Sequence, residues 1–337
     1  MKKLKVLMKE ALFYKTLKDK NVKCELCPHF CIIENNCTGK CGVRKNIEGK
    51  LFSLVYGLLC STTIDPIEKK PLFHFLPGSK TFSVGTVGCN LKCKQCQNFE
   101  TAQSEKIIGE ELKPELVIAK AIKNNCESIA YTYNEPTVFY EYALETAELA
   151  HQAGIKNVLV TNAFINLEPI EKLYPFIDAV NIDLKSFDEK FYNEVCIARL
   201  KPVLQAIKKI KEYCLIEITN LIIPGLNDDL NQIEDMCKWI SENLGKDTPL
   251  HFSRFFPQNK LTHIYPTPEE TLLKAKEIAD KYLYYVYIGN IDLNEESTYC
   301  PRCKEELIKR LKFEIIENKI NENKCPHCKL TIKGVFE

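Results

Sequence analysis

The sequence lacks an excess of charge of either sign: 46 lysines and arginines face 45 acidic residues, a formal net charge of +1. Proteins that attract nucleic acid or acidic membranes through their overall field usually carry a clear positive excess. No apolar run approaches the roughly 20 residues of a membrane span. The basic start has neither the apolar core nor the small-residue cleavage site of a signal peptide. We therefore expect a cytoplasmic protein with no membrane contact and no nucleic-acid partner.

Cysteine, by contrast, is abundant, with 17 in 337 residues. Most of these cysteines fall in three groups: five between Cys24 and Cys41, three between Cys89 and Cys96, and four between Cys300 and Cys328. Short C-x2-C and C-x3-C spacings in a chain without a secretion signal indicate metal binding rather than disulfides. The scattered cysteines (Cys60, Cys126, Cys196, Cys214 and Cys237) are expected to be buried apolar residues.

The cysteine groups divide the chain into three predicted segments. Residues 1–60 form a cysteine-rich N-terminal segment that opens with a short amphipathic helix. Residues 61–295 alternate strand-like apolar runs with helical ones, and residues 296–337 form a small zinc-ribbon-like domain. Strands that alternate with helices of this length indicate βαβ units and a parallel sheet. We predict an α/β fold, a partial (β/α)6 barrel of the TIM type, with a doubly wound open sheet as the alternative.

Each predicted strand of the core is followed by polar side chains. Taken singly, such a residue is ordinarily a loop residue or a helix cap. Because the active sites of parallel α/β barrels lie at the carboxyl ends of the strands, a series at this one edge predicts an active site there. The series comprises Cys89, Cys93, Cys96, Thr132, Asn134, Glu135, Thr161, Asn162, Asp183, Lys185, Asn227, His251, Ser253, Arg254 and Asn290.

Cys89, Cys93 and Cys96 have the spacing C-x3-C-x2-C, with no fourth cysteine or histidine nearby. A structural zinc site or a simple electron-transfer cluster takes four protein ligands. A [4Fe–4S] cluster held by three thiolates leaves one iron open, as a catalytic zinc site keeps a vacant position. The ligand that commonly fills this position is the amino and carboxylate end of S-adenosylmethionine (SAM). The spacing therefore favours a [4Fe–4S] cluster with one open iron, and SAM is the cofactor expected at that iron.

The segments DPIEKKPLFHFLPGS, GCNLKCKQCQNFETAQ, YTYNEPTVFYEY and NIDLKSF resemble one family over nearly the whole chain. It is that of the AmmeMemoRadiSam-system radical SAM proteins, relatives of the pyruvate formate-lyase activating enzymes. The resemblance implies that Cys89, Cys93 and Cys96 bind the cluster. Gln95 stands where the family usually has an aromatic residue that packs on adenine, so the resemblance does not show how adenine is held. The SAM contacts that it implies are Asn134 and Glu135 at the amino group, Asp183 and Lys185 at the ribose and carboxylate, and Asn162 and His251 nearby.

The two flanking cysteine groups predict further metal sites. Cys300, Cys303, Cys325 and Cys328 form two C-x2-C pairs that suit a tetrahedral zinc, with a rubredoxin-like iron site as the alternative. His327 lies between two of these ligands and is expected to be a bystander. In the N-terminal group the family pattern retains Cys24, Cys27, Cys31 and Cys41, which leaves Cys37 as a spare. Zinc and an auxiliary iron–sulfur cluster remain open there, and the adjacent His29 is a possible substitute ligand.

The expected function is that of a radical SAM enzyme, of oxidoreductase or activating-enzyme-like type, whose substrate the sequence does not identify. Such an enzyme would cleave SAM reductively and abstract hydrogen from a partner protein or a small molecule. It would need a reductant such as flavodoxin or ferredoxin, and the resemblance implies partners with AMMECR1-like and Memo-like domains. The alternatives are a non-catalytic iron–sulfur and zinc electron carrier or scaffold, and an RNA-modifying radical SAM protein. Neutral overall charge does not favour the last of these.

Overall fold

The computed structural model describes residues 8–291 and 296–337. Its largest sheet has eight strands whose order in space follows their order along the chain. They are β1 (Ser61–Pro66), β2 (Lys80–Gly85), β3 (Ser128–Tyr131), β4 (Lys156–Thr161), β5 (Ala179–Asp183), β6 (Leu215–Ile222), β7 (Leu250–Arg254) and β8 (Val286–Gly289).

Helices connect the successive parallel strands of this sheet. They are α1 (Pro114–Lys123), α2 (Tyr140–Gln152), α3 (Leu167–Leu173), α4 (Leu200–Ile210), α5 (Leu230–Asn243) and α6 (Glu269–Ala279). Local sequence explains where two of them begin. Pro114 occupies the first turn of α1, where its missing N–H costs nothing. The Asp229 carboxylate accepts hydrogen bonds from the first backbone N–H groups of α5.

The strand order confirms the predicted fold class. Strands β2 to β8 pair in parallel, each with its neighbour in the chain. A doubly wound sheet has a point at which the strand order reverses, and this sheet has none among its eight strands. The architecture is therefore that of a partial β/α barrel. Strand β1, which pairs antiparallel with β2 at the edge of the sheet, was not predicted.

The N-terminal segment contains two small antiparallel sheets, and its strand Leu58–Leu59 pairs antiparallel with Glu110–Glu111. Its buried side chains, among them Leu26 and Val43, belong to the same apolar core as those of the barrel. The predicted amphipathic helix is wrong for the described residues, because the chain there pairs with later strands instead; residues 1–7 lie outside the described part. The strands are Lys9–Glu10, Arg44–Ile47 and Lys50–Ser53 in one sheet, and Tyr14–Thr16, Val22–Cys24 and Ile32–Ile33 in the other.

The C-terminal segment has an antiparallel sheet and an apolar core of its own. Its strands are Thr298–Tyr299, Glu306–Leu311 and Glu314–Asn318. The predicted start of this domain adjoins residues 292–295, which lie outside the described residues. Phe73, Tyr285 and Tyr287 of the barrel contribute to the small core, so the domain packs directly on the barrel. Within the described ranges, no helix is long and apolar enough to cross a membrane.

Candidate functional site

A cavity of about 1020 Å³ lies at the carboxyl edge of the sheet, and Cys89, Cys93 and Cys96 form part of its wall. The three cysteines belong to the loop after β2. Gly88, directly before Cys89, has φ +94°, and a side chain at this position would also approach Val43 to 2.6 Å. Glycine is therefore required here by both conformation and space. The predicted clustering of strand-end residues is observed: fourteen of the fifteen lie on the cavity wall, and the exception is Asn227, in the loop after β6.

The three thiols suit an iron cluster better than a single metal ion. Burial raises the pKa of Cys89 well above its usual value and also raises that of Cys96, so three free thiolates would be costly here. Bound iron supplies the positive charge that keeps such thiolates deprotonated. The sulfur atoms of Cys89, Cys93 and Cys96 are not all within 4.8 Å of one another, as they would be around one zinc ion.

Side-chain amides hold the cysteine loop in place. Asn134, which follows β3, accepts from Thr86 N at 3.2 Å and donates to Gly88 O at 2.8 Å. Asn162, which follows β4, donates to Asn90 Oδ1 at 3.0 Å, and its Nδ2 lies 3.8 Å from Cys89 Sγ. The ends of two neighbouring strands therefore fix the loop that begins at the end of a third.

Glu135 joins the ends of β3 and β4 and lines the cavity, although it is only 1% exposed. Its Oε1 accepts from Thr137 Oγ1 at 2.6 Å and Thr161 Oγ1 at 2.7 Å, and its Oε2 accepts from Asn162 N at 2.8 Å. Burial raises the pKa of Glu135, while the hydrogen bonds from Asn162 and Thr137 oppose that shift. The contacts of Glu135 and Asn134 with the SAM amino group remain predictions.

Asp183 and Lys185 form an ion pair at the end of β5, with 3.0 Å between Asp183 Oδ2 and Lys185 Nζ. Burial opposes the charged form of Lys185, but the neighbouring charges of Asp183 and Cys93 raise its pKa well above the usual value. The lysine is therefore a fixed positive charge between a carboxylate and the cysteine loop. A positive and a negative group side by side suit a zwitterionic ligand, which carries both charges.

His251 of β7 faces the same cavity but its imidazole is already engaged. Its Nε2 lies 2.6 Å from Glu217 Oε2, and its ring stacks on Tyr287 with 5.1 Å between centroids. Burial works against ionisation of Glu217, yet the hydrogen bond from His251 keeps the pKa of this carboxyl below its usual value. A direct contact between His251 and SAM stays a prediction.

Gln95 is buried in this structure and lies beside another cysteine. Its Nε2 is 4.0 Å from Cys196 Sγ, and its Oε1 has no hydrogen-bond partner. Cys196 is fully buried, as expected for a scattered cysteine, but it also contacts the cysteine loop, because its backbone carbonyl accepts from Lys92 N at 3.0 Å. The sequence did not predict this contact, because it depends on the turn at residues 192–196 packing under the cysteine loop.

The opposite end of the cavity contains residues that the sequence did not single out. Phe73 precedes β2, and Lys312 and Phe313 lie in the hairpin of the C-terminal domain. The docking depends on Arg310, whose guanidinium donates to Phe73 O at 2.7 Å and lies 4.3 Å from the ring of Phe73. A sequence pattern within one domain cannot reveal a wall that two domains build together.

The four C-terminal cysteines converge as predicted. Cys300 Sγ lies 3.5 Å from Cys328 Sγ, and Cys303 Sγ lies 3.6 Å from Cys325 Sγ. Four sulfurs around one zinc, with Zn–S bonds of about 2.3 Å, are roughly 3.8 Å apart. The group therefore fits a mononuclear tetrahedral metal. Its four sulfurs, unlike those of the other two cysteine groups, all lie within 4.8 Å of one another.

The N-terminal cysteines face a second, smaller cavity. Cys24, Cys27, Cys31 and Cys41 all line it, whereas Cys37 does not and is exposed. His29 also lines it and contacts the cysteine loop after β2, with 2.8 Å between its Nε2 and Asn90 O.

Comparison with known proteins gives matches of three kinds. Residues 83–240 match the model of the Radical SAM superfamily. An uncharacterized protein of Methanocaldococcus jannaschii is 44% identical over 95% of this chain and 98% of its own length. A candidate glycyl-radical enzyme activating enzyme of the same organism is 30% identical over 59% of this chain and 76% of its own length. The crystal structure of Streptococcus suis SuiB bound to S-adenosylmethionine shares the fold, with TM-score 0.50 and 18% identity over 66% of this chain and 53% of that chain.

Proposed function

Because the chain belongs to the radical SAM superfamily, we propose that it is an enzyme that cleaves SAM reductively and abstracts hydrogen from a substrate. The observation that carries this proposal is the shared cavity. The three cysteines of the loop after β2, the Asp183–Lys185 ion pair and the strand-end amides all line one space of about 1020 Å³. A simple electron carrier has no use for such a space beside its cluster, so the cavity argues against the carrier or scaffold alternative.

Cys89, Cys93 and Cys96 would hold a [4Fe–4S] cluster with one open iron. Such a cluster, once reduced by an external one-electron donor, would supply the electron that breaks a carbon–sulfur bond of bound SAM to give methionine and a 5′-deoxyadenosyl radical. The protein's part is to hold the three thiolates, and Asn134 and Asn162 do so by fixing the loop at Gly88 and Asn90.

The residues at the ends of β3 to β5 would orient SAM. Lys185 and Asp183 present opposite charges to a ligand that carries both. Glu135 would also help to orient SAM indirectly, because it accepts hydrogen bonds from Thr161 and Asn162 and so fixes their relative positions. Gln97 and Asn98 line the cavity close to the third cysteine and are the proposed neighbours of adenine in the absence of an aromatic residue at Gln95.

The substrate would enter at the end of the cavity walled by Phe73, Tyr287 and Phe313. Apolar walls with a few charged groups, here Glu296 and Lys312, are typical of a specific ligand site. The relative named as an activating enzyme supports a partner protein as the hydrogen donor. A small molecule is the second candidate, because the C-terminal domain closes one side of the cavity. A flavodoxin-like or ferredoxin-like reductant, and partners with AMMECR1-like and Memo-like domains, are part of this proposal.

The proposal is tested by anaerobic reconstitution with iron and sulfide, reduction and addition of SAM. We expect 5′-deoxyadenosine and methionine in equal amounts. A well-formed cluster that neither binds nor cleaves SAM would overturn the proposal in favour of an electron carrier. To identify the hydrogen donor, the reaction is run with a deuterated substrate or a deuterated partner protein. Deuterium should then appear in 5′-deoxyadenosine.

A further inference from the structure

Four N-terminal cysteines surround one small cavity. Cys24 ends a strand, and Cys27, Cys31 and Cys41 lie in the loops that follow it, yet all four line this cavity. The cavity has a volume of about 20 Å³, whereas a cavity that holds one water needs roughly 10 to 15 Å³. The four sulfurs therefore face a shared space rather than one another.

The separation of these sulfurs distinguishes between two kinds of metal centre. Four thiolates on one zinc are only roughly 3.8 Å apart and leave no space between them. In the part of the chain that the structure describes, Cys300, Cys303, Cys325 and Cys328 are the only cysteine group whose sulfurs all lie within 4.8 Å of one another. Thiolates of an iron–sulfur cluster bind different iron atoms and so stand farther apart. The N-terminal group has the wider arrangement.

A buried arginine also indicates an occupant that accepts hydrogen bonds. Arg44 lines the cavity and is 2% exposed. Its NH1 donates to Glu141 and its NH2 to Leu12 O, but its Nε has no partner. An unpaired buried donor of this kind is rare and costly. The sulfide and thiolate sulfurs of an anionic cluster would accept from it.

We propose that Cys24, Cys27, Cys31 and Cys41 bind a second iron–sulfur cluster, of the [4Fe–4S] type with every iron ligated by protein. The proposal goes beyond the function proposed above, which needs one cluster only. A fully ligated cluster has no open iron for a substrate, so electron transfer is the chemistry left to it. Its loop packs against the loop of the first cluster, since a side chain at Gly88 would meet Cys41 O at 3.0 Å.

The test is a count of inorganic sulfide, iron and zinc in the anaerobically reconstituted full chain. We expect about eight sulfides per chain in the wild type and about four in the Cys89→Ala, Cys93→Ala, Cys96→Ala triple variant. The cluster that remains in this variant should give an electron paramagnetic resonance signal, after reduction, that SAM does not change. Zinc should be near one per chain in both proteins.

The matched control is Cys37→Ser, which removes the exposed cysteine of the same segment and should leave about eight sulfides. Replacing Cys24, Cys27, Cys31 and Cys41 by serine should leave about four, with a signal that SAM alters. No sulfide in the triple variant, or a second zinc per chain in the wild type, would overturn the proposal. SAM cleavage plays no part in these counts, so the proposed function can fail or hold independently.

Discussion

The imidazole Nε2 of His29 donates to the backbone carbonyl of Asn90 across 2.8 Å, which joins the N-terminal cysteine segment to the loop of the radical SAM cysteines. The Asn90 side chain continues this connection. It donates to Phe164 O at 2.7 Å and accepts from Asn162 at 3.0 Å. One residue next to Cys89 thus connects the cysteine loop to both the N-terminal segment and the end of β4.

Replacing Asn90 by alanine should loosen the cluster. The change leaves two buried polar groups without their partner, at a cost of about 1 to 3 kcal/mol each. We expect faster loss of cluster absorbance in the presence of a chelator than in the wild type. Asn243→Ala is the control, because Asn243 makes a similar side-chain hydrogen bond, to Trp239 O, in α5. Equal rates of loss in both variants would show that Asn90 does not hold the loop.

Asp183→Asn should weaken SAM binding. The substitution keeps the size of the side chain but removes the negative charge beside Lys185. Hydrogen bonds to charged groups contribute about 1.5 to 3 kcal/mol, so the Kd for SAM should rise about tenfold to a hundredfold. Equilibrium dialysis on the cluster-loaded protein measures it. Asp178→Asn, just before the opposite end of the same strand, should bind SAM like the wild type, and a Kd raised equally in both would contradict the assignment.

How much of this site the sequence predicts depends on how local each signal is. The apolar run at residues 179–183 predicts a strand and the helical pattern at residues 230–243 predicts a helix, and β5 and α5 have these bounds. Strand β1 was missed, because its residues are polar or exposed and it is a strand only through pairing with β2.

Contacts between distant segments were beyond the sequence. Glu217 gives no signal of its own in an apolar strand, yet it accepts hydrogen bonds from both His74 and His251. Phe313 lies in a polar hairpin and reaches the cavity only because its domain docks on Phe73. The expectation that active-site residues follow the carboxyl ends of parallel strands correctly predicted the polar residues at one edge of the sheet. It could not predict the residues that close the cavity, because they come from a different domain.

Stability should decrease in acid partly through His74. This buried residue accepts from Tyr287 OH and donates to Lys333 O, both at 2.8 Å, and burial lowers its pKa to about 4. Because the unfolded chain binds a proton near pH 6.5 and the folded chain does not, the stabilisation is complete above about pH 6.5 and is lost as the pH falls toward 4. The difference corresponds to about 3 kcal/mol.

Urea unfolding at several pH values measures this effect. His74→Gln cannot titrate, so its free energy of unfolding should fall less than that of the wild type between about pH 7 and pH 4. Other groups contribute equally to both proteins and cancel in the comparison. Parallel curves for the two proteins would contradict the assignment to His74.

Removing the C-terminal metal should unfold the small domain. Cys303→Ser and Cys328→Ser each remove one of four ligands, and metal binding contributes on the order of 10 kcal/mol to the folding of such sites. We expect loss of about one zinc per chain and rapid proteolysis after residue 296. His327→Ala should keep the metal and resist the protease. If the serine variants also keep their zinc, the four cysteines are not its ligands.

The central claim is that Cys89, Cys93 and Cys96 hold the cluster that cleaves SAM. The most direct measurement is the amount of 5′-deoxyadenosine formed by the reconstituted, reduced protein, compared with the triple alanine variant and with Cys214→Ala, which changes a cysteine at the opposite edge of the sheet. We predict product in the wild type and Cys214→Ala, and none above background in the triple variant. Equal product in all three, or none in a wild-type protein with a well-formed cluster, would contradict the account.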